Sequence, residues 1–151
     1  MSRIETAVSR FAEGYNCSQA VLSAYAGQLG LDEETAMKIA AGFGGGMGRM
    51  ADTCGAVTGA FMVLGLQCGQ ASPDRQAKEA IYRRIREYAD RFRTRHGSLL
   101  CRELLECDIS VPEGLQRARE LELFSKTCPR FVRDACEILE EMLQKSSGQF
   151  G

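Results

Sequence analysis

The stretch Gly42–Gly65, GFGGGMGRMADTCGAVTGAFMVLG, constrains this chain more than any other. Five of its first seven residues are glycine. Glycine allows positive φ and close backbone approach, yet it loses the most conformational entropy on folding. Such a cluster therefore predicts a backbone path that other residues resist. We read a tight, amide-lined loop that feeds an apolar helix and presents Cys54 at the helix's positive end. Within that helix Gly55 and Gly59, with Ala56 and Ala60, place small residues on adjoining faces. Another backbone can come close there for steric reasons alone.

The remaining chain reads as helices separated by short breaks. Ile4, Ala7, Val8 and Phe11 give helical spacing over Ser2–Gly14. Asn16 looks like the N-cap of a second helix running from Cys17 to about Gly30, and Asp32 caps a third at Glu33–Ala41. The glycine-rich helix is expected from Asp52 or Thr53 to about Cys68. Ser72-Pro73-Asp74 is a start signal, with Pro73 at the first helical position, for a long helix reaching Gly97. One face of that helix carries Ile81, Ile85, Tyr88 and Phe92; the other is rich in arginine and reads as a solvated face. Ser98 is expected to cap Leu99–Glu106, residues 108–114 to form a loop, Leu115–Phe124 to be weakly helical, and Cys128-Pro129 to open the last helix, Phe131 to about Lys145. The fold class expected is an all-α, single-domain bundle of about six or seven helices over residues 1–145, followed by a frayed tail at 146–151.

Charge and hydropathy exclude several classes of function. With 19 basic and 20 acidic residues, the net charge of −1 offers no footprint for nucleic acid. No apolar run approaches the roughly 20 residues of a membrane span. The N-terminus lacks the apolar core and cleavage site of a signal peptide, so a cytoplasmic protein is expected. An exposed apolar face on the glycine-rich helix would suit a homodimer.

Cysteine is the compositional outlier: seven, at 17, 54, 68, 101, 107, 128 and 136. An odd count without an export signal argues against a disulfide framework. The absence of Cys-x-x-Cys removes the simplest thioredoxin, zinc-ribbon and ferredoxin readings. Four of the seven, Cys17, Cys54, Cys101 and Cys128, fall in the first turn of four different helices. Orphan amides and the helix dipole favour negative charge there, and a thiolate is both the nucleophile of disulfide exchange and a metal ligand. Four such thiols could converge on one point. Cys136 reads as core, Cys68 as structural, and Cys107 could pair with Cys101. The single histidine, His96, reads as a complement to its helix C-terminus rather than a catalytic group.

Cys17, the CGAVTG run at 54–59, Cys101 and Cys128 together resemble the C_GCAxxG_C_C family. The similarity extends through GFGGGMGRM before the motif and CPRFVRDACEIL near the end. The resemblance implies redox activity through those four cysteines, with Cys68 and Cys136 as additions to the pattern.

Three chemistries follow as expectations. In the first, Cys17, Cys54, Cys101 and Cys128 bind an iron–sulfur cluster or metal ion, while amides of Gly44, Gly45, Gly46 and Gly48 hydrogen-bond to cluster sulfurs. Four similarly placed thiols exceed what one exchange reaction needs, which favours this reading and implies electron transfer or redox sensing with an unidentified redox partner. In the second, Cys54 is the attacking thiolate of a thiol–disulfide oxidoreductase, assisted by Arg49. In the third, a non-enzymatic module holds an anion at the glycine loop.

Overall fold

The first three helices begin behind the side-chain caps that the sequence offers. Ser2 caps α1 (Arg3–Ala12), Asn16 caps α2 (Cys17–Ala26) and Asp32 caps α3 (Glu33–Ala40), each accepting a hydrogen bond from a backbone N–H in the first turn. The glycine loop separates these from α4 (Gly55–Cys68) and α5 (Arg75–His96). Then come α6 (Cys101–Leu104), α7 (Pro112–Glu120), α8 (Leu123–Lys126) and α9 (Cys128–Phe150). In this computed structural model the backbone is described for residues 1–150 and the side chains for residues 1–143. The tail expected at 146–151 lies outside the fully described residues. The fold is all-α: seven helices have eight residues or more, and the described residues include no strand. None of these helices is long and apolar enough to cross a membrane.

α2 and α4 form the centre. Both are apolar on nearly every side, and such a helix is stable only when surrounded. α2 buries Val21, Leu22 and Tyr25; α4 buries Val57, Val63 and Leu64. α1 and α3 flank α2, α5 flanks α4, and α9 packs on α1, α2, α4 and α5. A Cβ on Gly59 would lie 2.9 Å from the Ser18 carbonyl oxygen, so the small-residue face of α4 is where α2 approaches. Of the large apolar side chains on α4 only Leu66 is exposed, at 37%. The exposed apolar face expected there is instead consumed inside the fold.

Several boundaries differ from the sequence reading, each for a local reason. Asp74, not Ser72, caps α5, so Pro73 precedes the helix. α6 is a single turn rather than Leu99–Glu106, because Leu100 is extended and bridges to Thr53, and Leu99 O accepts from Cys54 N–H, in the segment before α4. Ser98 Oγ accepts from Leu100 N–H and donates to Glu103 Oε1 without capping a helix. Pro112 opens α7, where its missing N–H costs nothing. Cys128 opens α9, as the Cys128-Pro129 start signal leads one to expect.

The arginine face of α5 is only partly solvated. Arg95 bridges Glu137 and Glu141, at 2.8 and 2.7 Å, and Arg91 reaches Glu141 at 3.0 Å, fastening α5 to α9. His96 is buried between Phe92 and Phe131, with Nε2 2.8 Å from Asp134 Oδ2 but without the alignment of a hydrogen bond.

Candidate functional site

Four helix starts bring four thiols to one place. Cys17 is the first residue of α2, Cys54 is the N-cap of α4, Cys101 opens α6 and Cys128 opens α9. All four line a single cavity of about 60 Å³, closed over by Phe11, Leu104, Leu105, Phe124 and Phe131. Apolar walls of this kind keep water from the sulfurs and raise the strength of every charge interaction among them.

Backbone pairing explains why Cys54 and Cys101 lie together. Cys54 N–H donates to Leu99 O at 2.8 Å, and Cys101 N–H donates to Asp52 O at 2.6 Å. These bonds flank an antiparallel bridge between Thr53 and Leu100. Arg102 reinforces it: Nε donates to Ala51 O at 3.0 Å and Nη2 to Asp52 Oδ1 at 2.9 Å. Sequence reasoning missed Arg102, since nothing local marks it. Cys17 joins Cys54 because Gly55 has no side chain; a Cβ there would sit 3.1 Å from Cys17 Cβ.

The glycine loop is a left-handed coil. Gly45, Gly46, Met47, Gly48 and Arg49 have φ between 59° and 72°, and Ala51 follows at 60°. Gly46 is obligatory, because a Cβ would lie 2.6 Å from Asp52 N. Met47, Arg49 and Ala51 hold a conformation that costs non-glycine residues about 1–2 kcal/mol each. Loop hydrogen bonds and the Arg102 clamp hold them in it. The expected amide donors divide. Gly48 N–H is already bound to Gly42 O at 2.7 Å, whereas the N–H groups of Gly44, Gly45 and Gly46 meet no acceptor among the described residues. Gly45 and Gly46 line the thiol cavity, and Gly44 and Gly48 line an open depression beside it.

The four thiols are not electrostatically equivalent. Cys54 is held below the ordinary cysteine value: hydrogen bonding from the Cys17 thiol, aided by the Ala56 and Val57 amides, outweighs burial. Cys17 is driven well above its ordinary value by contact with the Cys128 and Cys54 thiols and by burial. Burial, with the nearby Cys54 and Cys128, pushes Cys101 up to about 12. The first-turn amides thus lend Cys54 only a secondary push behind the Cys17 thiol, and desolvation and thiol neighbours raise Cys17 and Cys101 despite their first-turn positions. Arg49 lines the outer depression, not the thiol cavity, and is not among the groups that shift Cys54.

The other cysteines stand apart. Cys136 is fully buried in the core beside Tyr25, and burial takes it to about 12. Cys107 donates to Gly114 O at 3.0 Å and is absent from the cavity wall. Cys68 ends α4, and His96 is absent from the cavity wall. Among the described residues no three His, Cys, Asp or Glu side chains are arranged to hold a metal ion.

A family model described as "Putative redox-active protein (C_GCAxxG_C_C)" matches residues 15–142. The chain belongs to the C_GCAxxG_C_C family. All four cavity cysteines fall inside the match, and the counterpart of the GCAxxG string is Cys54-Gly55-Ala56-Val57-Thr58-Gly59, with the cysteine and the first glycine in the reverse order. In C_GCAxxG_C_C terms the two motif glycines have separate duties here: Gly55 admits Cys17, and Gly59 admits the Ser18 carbonyl. Neither a curated protein nor a solved structure matches the chain.

Proposed function

We propose that this C_GCAxxG_C_C protein is a thiol–disulfide redox protein in which Cys54 attacks and Cys17 resolves. The observation that carries the reading is the asymmetry of the adjacent pair in one cavity: Cys54 is shifted toward thiolate, and Cys17 is the protonated neighbour responsible. Cys54 Sγ attacks one sulfur of an external disulfide and the other leaves as thiolate. Cys17 then loses its proton to solvent or to the departing thiolate and attacks Cys54 Sγ. The second half of the oxidant leaves, and a Cys17–Cys54 disulfide remains. Two protein thiols are oxidised, one external disulfide is reduced, and an external dithiol restores the pair by the reverse exchange.

A second reading is a four-thiolate centre for an iron–sulfur cluster or a metal ion. Its support is that Cys101 and Cys128 reach the same cavity, more sulfur than one exchange uses. It requires the raised thiols to ionise and the side chains to turn into a ligand array.

One sample decides between them. Anaerobically purified protein is assayed for iron, sulfide and free thiols, then oxidised mildly and digested. Loss of two thiols with a Cys17–Cys54 linked peptide, absent from Cys54→Ser and retained in Cys136→Ser, is the outcome expected. Stoichiometric iron and sulfide, lost on replacing any of the four cavity cysteines, would overturn the dithiol reading in favour of the second.

A further inference from the structure

The thiol cavity is too small for a whole disulfide substrate, so most of such a molecule must rest outside it. Directly outside lies a depression of about 520 Å³, within the size range of small-molecule sites. Asn16, Gly45 and Phe124 line both spaces and form the wall between them. We infer that this depression docks a small disulfide bearing carboxylates, which then delivers a sulfur to Cys54. The inference rests on the thiol–disulfide reading and adds the charge of the substrate.

Three observations specify an anion. The lining carries Arg49 and Arg119 and not one carboxylate. Neither guanidinium has an ion pair or a side-chain hydrogen bond among the described residues, so both can turn to an external anion in the depression that they line. Beside them, the N–H groups of Gly44 and Gly45, which line the depression, meet no acceptor among the described residues. Successive amides in a turn, as where Gly44 meets the positive-φ Gly45, form an anion-binding concavity, and guanidinium groups match a carboxylate with paired donors. Ile109 and Leu115 supply an apolar floor suited to the methylene spacer between carboxylate and sulfur.

The exchange balances as described above: Cys54 Sγ forms a mixed disulfide with one half of the bound oxidant, whose other half leaves as a carboxylate-bearing thiolate. Resolution by Cys17 releases the second half. The depression thus holds one carboxylate while Phe124 turns aside to let the sulfur reach Cys54.

The test compares three disulfides on the reduced protein: anionic dithiodipropionate, neutral bis(hydroxyethyl) disulfide and cationic cystamine. Oxidation rates are followed by loss of two thiols. The expected result is that Arg49→Ala/Arg119→Ala lowers the ratio of the anionic to the neutral rate about tenfold, the worth of one charge-assisted hydrogen bond. Added salt should narrow the same ratio in the wild type. An unchanged ratio overturns the inference. A redox-inert arm separates the two readings: adipate is titrated by calorimetry against Cys54→Ser, with and without the two arginine substitutions. Adipate binding that needs the arginines, with no oxidation by any disulfide, would leave the anion site standing and remove the exchange chemistry. Oxidation by all three disulfides at rates insensitive to the arginines, with no adipate binding, would do the reverse.

Discussion

Gly59 and Gly65 lie on the same helix and illustrate how differently one residue type can be constrained. A Cβ at Gly59 meets the Ser18 carbonyl oxygen at 2.9 Å, while one at Gly65 meets nothing within 4 Å. Gly59→Ala should cost about 1–3 kcal/mol by forcing α2 from α4. Gly65→Ala should stabilise the chain by about 0.4–1 kcal/mol through the unfolded state. Urea midpoints of the two variants check this; equal midpoints would mean that the α2–α4 contact is looser than described. The sequence made the small-residue face legible because helical spacing alone sets it. It could not show Arg102 or Arg119 as site residues, and it set Arg49 beside Cys54 rather than on the outer depression, since what distinguishes these residues is where the chain returns in space. The pKa order of the cysteines was also hidden: capping position is local, but burial and sulfur neighbours are not.

At the scale of elements, the left-handed coil from Gly45 to Ala51 sets the site. It turns the chain so that Asp52 and Cys54 meet Cys101 and Leu99, and the two arms are then pinned by the hydrogen bonds around Thr53. The glycines that make the coil possible could be read from sequence. Met47, Arg49 and Ala51, which follow it at positive φ, could not, because their own preference runs against it. Gly46→Ala combines positive φ with a clash on Asp52 N. It should destabilise the protein by about 1–3 kcal/mol. By shifting the start of α4 it should also move the pH midpoint of Cys54 alkylation up toward about 8.5. Iodoacetamide labelling across pH, read by mass spectrometry at Cys54, measures this. A variant as stable as the wild type, with an unmoved midpoint, would detach the coil from the thiol. The short and misplaced elements, α6 and α7, were illegible for a related reason: the extended residues before α6 answer to a distant partner, and Pro112 serves a helix start as readily as a loop.

For the whole molecule, buried acids of low tendency to ionise dictate an alkaline limit. Cys101 and Cys136 are each pushed up to about 12, Cys17 lies well above its ordinary value, and burial raises Tyr25 and Tyr88 as well. An unfolded chain releases thiol protons near pH 8.5. Above that the folded state binds more protons, so its stability falls as pH rises. Each thiol contributes up to about 1.4 kcal/mol per pH unit until its folded value is reached. Cys54 acts in the opposite sense: its contribution is complete above the unfolded value and is lost as pH falls through its depressed folded value. Urea unfolding of fully reduced protein at successive pH values should give a midpoint that drops steeply above about pH 9, less steeply in Cys136→Ala. A flat profile would show that these thiols ionise freely in the fold. The positions of the four cavity cysteines carry one more consequence, in the order of synthesis. Cys17, Cys54 and Cys101 leave the ribosome before the helix that begins at Cys128 and packs against α1, α2, α4 and α5. A nascent chain therefore displays three of its four cavity thiols before the helix that completes their enclosure, and during that interval pairing among them is governed by the cell's reductants rather than by the fold.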